Sequence, residues 1–155
     1  MNRSSFLLLV LGLLVAGGCD PIYMARIDVD LRRSGADISP PGGVAASDAA
    51  DGIAIVGSVA RQFKFEAQRI SEESRAHGWS DSFARNYAVD PEHRLYDRVT
   101  ISILWQQTER VLRVALSEVI ASRESAFLHR VRTALEDRLV ARFGKGAVRY
   151  YRGAG

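Results

Sequence analysis

From Ala25 to Arg32 apolar and polar residues alternate strictly, with Ala25, Ile27, Val29 and Leu31 set against Arg26, Asp28, Asp30 and Arg32. A period of two puts each set on its own face, so this stretch predicts a strand buried on one side. Beyond a loop carrying Pro40-Pro41-Gly42-Gly43 the period changes. Ile53, Val56, Ala60, Phe63, Ala67 and Ile70 recur at steps of three and four, which predicts a single helix of about seven turns, capped by Ser47 or Asp48. Gly52 and Gly57 each weaken that helix by about 1 kcal/mol relative to Ala, so both are expected to approach the sheet closely. Ala76 to Asp97 sustains neither period. It is read as a long loop bearing Trp79, Phe83, Tyr87 and Tyr96, with a short helix opening at Asp90-Pro91-Glu92. Val99, Ile101, Ile103 and Trp105, then Leu112, Val114 and Leu116, predict a hairpin, although its turn lacks Gly, Asn, Asp and Pro and the second arm also fits a helical stripe. Phe127, Leu128, Val131, Leu135, Leu139 and Phe143 form the stripe of a last helix, capped by Ser122 and ended by Gly144 and Gly146. Ala147 to Arg152 reads as a closing edge strand.

The predicted order is strand, helix, strand, strand, helix, strand. Two helices with one apolar stripe each suit one face of a four-stranded antiparallel sheet. The expectation is therefore an α+β, ferredoxin-like βαββαβ two-layer sandwich with strand order 4-1-3-2, occupying residues 25–155 as a single domain. On that topology the open face carries Asp28 and Asp30, with Arg113 and Arg149 on the flanking strands, either as a partner-recognition surface or as mutually neutralising charges. The same topology resembles RNA-recognition domains, but Asp28 and Arg113 stand where their stacking aromatics belong.

The apolar run Phe6 to Ala16 follows a polar start with one positive charge at Arg3 and ends in Gly17-Gly18-Cys19. It is too short for a bilayer span of roughly 20 residues and has the plan of a secretory signal. Ala16-Gly17-Gly18-Cys19 resembles the lipobox of bacterial lipoproteins, with Ala16 where that family usually has Leu. The resemblance implies cleavage after a signal peptide of residues 1–18 and a lipid on Cys19. Cys19 is the chain's one cysteine, and lipidation would consume a thiol left unpaired in an oxidising compartment. Residues 19–24 are then a short tether holding the domain at its own membrane, in the cell envelope and facing the periplasm or exterior. The bilayer and an envelope protein are the expected partners, and export argues against nucleic acid.

Charge divides the chain unevenly, with 9 basic and 13 acidic residues from Asp20 to Asp97 against 11 basic and 5 acidic from Arg98 to Gly155. The basic half suits anionic headgroups or an acidic partner, or else pairs with the acidic half. Candidate chemistry is sparse. No hydrolase elbow, phosphate loop or dinucleotide fingerprint is present, and His77 and His93 match no metal-ligand spacing. No catalytic residue, metal or cofactor is expected. The leading reading is a non-enzymatic interaction or assembly subunit of an envelope complex. A lipid or small-ligand carrier using Trp79, Phe83, Tyr87 and Tyr96 is the alternative, with a hydrolytic enzyme weaker still.

Overall fold

The computed structural model describes residues 22–33, 44–90, 95–119, 121 and 123–153. The elements in order are β1 (Tyr23–Asp30), α1 (Val44–Gln62), β2 (Glu66–Ala67), α2 (Glu72–Ala76), β3 (Trp79–Asp90), β4 (Leu95–Gln106), β5 (Val111–Glu118), α3 (Ala126–Phe143) and β6 (Val148–Arg152). The six strands form one sheet in the order β2-β3-β4-β5-β1-β6, with every neighbouring pair antiparallel. The class is α+β. The four-stranded, two-helix ferredoxin-like sandwich is overturned by two further strands and a third helix.

Both corrections lie between Phe63 and Asp90. The long helix stops at Gln62, because Lys64 takes a left-handed backbone, φ 58°, that an α-helix cannot continue. Phe65 then turns into the core and the chain enters β2. The supposed aromatic loop is chiefly β3, paired with β4 from Trp79↔Leu104 to Asp90↔Leu95. Two features hide that strand in the sequence. A register shift between Trp79 and Asp81 breaks the alternation, and Arg85 occupies an inward slot where an apolar residue would be expected. Asp90, read as a helix cap, ends β3, and residues 91–94 lie outside the described set. α1 starts at Val44, ahead of the expected caps, and leaves Asp48 buried inside it beside Arg142. Ser125, not Ser122, caps α3, accepting from the Leu128 amide at 3.0 Å.

One face of the sheet is covered by α1 and α3, and there the core forms. Ile27, Val29, Ile101, Ile103, Leu112, Val114 and Leu116 from the strands meet Val56, Val59, Leu128, Val131, Leu135 and Leu139 from the helices, all essentially without solvent exposure. Each such side chain contributes on the order of 1.5–3 kcal/mol through burial. Gly52 is the close approach expected of it, since a Cβ there would stand 2.4 Å from Leu112 Cδ2; Gly57 has ordinary room. Arg142 ties α3 to α1 through Asp48 and Asp51 at 2.9 and 2.8 Å. Its charge suits the negative end of its own helix. The hairpin turn closes without glycine because Arg110 itself adopts φ 53°.

Candidate functional site on the open face of the sheet

Strand register sorts the uncovered face into rows. One row runs Trp79–Leu104–Arg113–Asp28–Arg149 across β3, β4, β5, β1 and β6. The next runs Ser82–Ser102–Ala115–Arg26–Tyr151, and a third Ala84–Thr100–Ser117–Met24. The middle of this face is paved with small side chains, while charge gathers on β1 and its two neighbours. The face is therefore flat at β4 and β5 and ionic at the β6 edge.

Asp28 is the hinge of the ionic part. Arg113 donates to it across β1 and β5 at 3.1 Å, and Arg26 stands 3.1 Å away along its own strand. Arg149 occupies the opposing register position on β6 and is exposed. Asp30 sits at the end of β1 with Arg32 at 2.8 Å and Arg33 at 3.3 Å. The Arg32 hydrogen bond holds the Asp30 carboxyl below its ordinary range. Of the four residues expected to share this surface, Asp28, Arg113 and Arg149 fall in one row, and Asp30 lies at the strand's end, engaged with the turn that follows.

The four aromatics expected to line one ligand pocket are not brought together. Trp79 belongs to the open face. Phe83 and Tyr87 turn the other way, where Tyr87 meets the Phe127 ring at 5.0 Å and Phe63 and Phe65 complete an aromatic cluster. Tyr96 lies on β4 opposite Ala88, and its side chain is outside the described set. A cleft of about 370 Å³ does exist beside Trp79, lined by Arg69, Ile70, Ser71, Ser74, Asp81, Ser82 and Ser102. It forms where residues 69–74 fold over the outer strands. Its walls set hydroxyls, a carboxylate and a guanidinium beside the apolar Ile70 and Trp79, a mixed set suited to a small ligand with polar groups.

The helix-covered face holds a polar group that the sequence reading missed. Glu118 has no solvent exposure. Its carboxylate accepts from the Tyr87 hydroxyl and, at 3.1 Å, from the Ser125 amide at the start of α3. Burial, with the Glu118 hydrogen bond adding to it, pushes the Tyr87 phenol up to about 12. The available signal was Glu118 at the inward slot after Leu112, Val114 and Leu116, where a charge needs partners. Close by, the Tyr23 and Tyr150 hydroxyls meet at 2.9 Å, and Arg132 lies over the Tyr150 ring at 4.5 Å. Burial and that hydroxyl partner also raise the Tyr23 phenol. Arg132 bonds Glu124 at 2.6 Å and Glu136 at 2.7 Å. Burial pushes Glu124 up, but the hydrogen bonds and charges of Arg132 and His129 outweigh it and leave the carboxyl below its usual range.

These buried groups brace the joint between β3, β5, β6 and α3. Among the described residues no cluster of three His, Cys, Asp or Glu is arranged to hold a metal, and no helix is long and apolar enough to cross a membrane. His77 is exposed, with Nδ1 2.8 Å from the Glu73 carbonyl. Cys19, His93 and the whole of residues 1–18 lie outside the described set. The chain matches no protein-family model, no curated protein and no solved structure.

Proposed function

We propose that the protein is a lipid-anchored component of the bacterial cell envelope, held at a membrane by Cys19, whose open sheet face docks to a protein subunit of an envelope complex without catalysing a reaction. The observation that carries this reading is the Arg113–Asp28–Arg149 row on a face that neither long helix covers. Strand backbone fixes the spacing of those positions, and the Asp28 contact already holds Arg113, so a complementary surface meets a pattern with its backbone in place. The lipobox-like run before Cys19 supplies the anchor. β1 begins at Tyr23, inside the stretch read as tether, so only residues 20–22 separate the anchor point from the sheet.

The test is to extract the full chain from membranes in mild detergent as the native form, Cys19→Ala and Asp28→Arg. The expected native product has lost residues 1–18, carries added acyl mass and brings one envelope protein in stoichiometric amount. Asp28→Arg is expected to keep the acyl mass and lose that partner, and Cys19→Ala to leave the membrane fraction. Native protein without acyl mass, or with it but alone, contradicts the proposal.

The cleft beside Trp79 favours a second reading, a carrier of a small ligand with polar groups. Its signature is a saturable shift of tryptophan emission that disappears in Trp79→Phe, leaving Trp105 as an internal control.

A further inference from the structure

Three large hydrophobic side chains stand out in solvent among the described residues: Ile22, Met24 and Tyr151, at 51%, 52% and 40% exposure. They gather at one corner, where β1 begins and β6 ends. Met24 and Tyr151 occupy adjacent rows of the open face, and the Gly153 amide donates to the Met24 carbonyl at 2.9 Å, fastening the end of β6 beside it. Arginines flank the corner. Arg26 lies over the Tyr151 ring at 4.5 Å, and Arg152 is exposed at the end of β6, on the opposite face of the sheet from Tyr151. Asp28 is the acidic group among them, and it is engaged by Arg26 and Arg113.

An aliphatic pair, an aromatic ring with a polar tip and flanking guanidinium groups is the composition of an interfacial anchor. Tyr rings settle at headgroup depth, aliphatic side chains reach the acyl boundary, and Arg extends its charged end to phosphate. A second copy paired along the β6 edge would instead bring four arginines, Arg149 and Arg152 of each copy, together on one five-residue strand pair, and like charges repel. The tether length agrees with a bilayer. Ile22 lies three residues after Cys19, and a fully extended chain covers roughly 10 Å in that distance. This step rests on the lipid-anchor reading given above.

We infer that Ile22, Met24 and Tyr151, flanked by Arg26 and Arg152, form a docking surface for an anionic lipid bilayer that fixes the orientation of the domain on its own membrane. β1 rises away from the bilayer, which sets Asp30 about 23 Å along the strand from Tyr23 at roughly 3.3 Å per residue. The Asp28–Arg113 row is then presented above the headgroups, facing laterally.

The full chain is prepared from membranes as Met24→Cys and, on α2 at the opposite edge of the sheet, Glu73→Cys. Each is labelled with an environment-sensitive thiol fluorophore. It is then reconstituted into phosphatidylglycerol–phosphatidylcholine vesicles with brominated acyl chains. Intact mass shows whether Cys19 is acylated, since an acylated chain takes one label and a free one takes two. The expected result is at least threefold stronger quenching at position 24 than at 73, reduced at least twofold when Arg152→Glu is added. Equal quenching at the two positions overturns the inference. If Cys19 carries no lipid, the anchor reading fails separately. The Cys19→Ala/Met24→Cys chain on the same vesicles then decides the docking surface alone, with quenching upholding it and its absence overturning it.

Discussion

Glu118 and Asp28 are carboxylates on neighbouring strands of one sheet, and they are handled in opposite ways. Glu118 faces the helices with no solvent exposure and receives the Tyr87 hydroxyl and the Ser125 amide. Asp28 faces outward and, partly buried, shares its charge with Arg113 and Arg26 in an ion-pair ladder on the open face. A fully buried polar group that loses a partner is left with its whole desolvation penalty, whereas a partly exposed pair can turn to water for part of what it loses. The helix-covered face is thus where substitutions cost most stability, and on the proposed function the open face is where they alter what the protein meets.

The largest effect expected on that contrast is at the centre of the covered face. Leu139→Ala should lower unfolding free energy by about 2–5 kcal/mol in denaturant titrations, because the interlocked α1 and α3 cannot fully collapse into the space. Tyr87→Phe comes next, at about 1–3 kcal/mol, since it strips Glu118 of a donor without changing the packing of the ring. The same pair leaves a mark at high pH. A phenol raised from 10.0 to about 12 favours the fold while it is neutral. Its contribution is complete below pH 10 and is lost as pH rises through 12, and Tyr87→Phe should flatten that part of the stability profile. Glu124 acts at the other end. Its depressed carboxyl stabilises the fold above its usual 4.5 and is lost as pH falls through the folded value, so Glu124→Gln should blunt the acid limb measured by circular dichroism. Asp28→Asn closes the series at about 0.2–1 kcal/mol, with a much larger effect on partner retention. A stability loss at Asp28 equal to that at Tyr87 would erase the distinction between the two faces.

What was legible in the sequence follows the same division. β1, β5 as far as Leu116 and α3 could be read because their inward positions carry apolar residues, so period and burial coincide. Asp28, Arg113 and Arg149 could be aligned once the second hairpin arm is read as a strand, since each then sits at a polar slot of an alternating run. β3 could not. Arg85 fills an inward slot by donating to the Phe63 carbonyl and covering the Phe127 ring at 4.9 Å, an arrangement that depends on residues distant in sequence. Nor could the end of α1, since Ala67 and Ile70 continue the helical spacing although the backbone has already turned at Lys64. Trp79, Phe83 and Tyr87 looked like one ligand loop because their composition showed and their phase did not. Once β3 is a strand, the bulge after Trp79 sends it to one face while Phe83 and Tyr87 go to the other. Glu118 and Tyr87 are 31 residues apart and carried no local sign of each other.

The measurement that bears most directly on the central claim is in-cell photocrosslinking from both faces of the same protein. A photoreactive residue is placed at Leu104 or Ala115 on the open face, and at Arg130 or Asp137 on the solvent side of α3. The account predicts one discrete crosslinked protein from positions 104 and 115 and none from 130 and 137. Crosslinks confined to α3, with the open face silent, would contradict it.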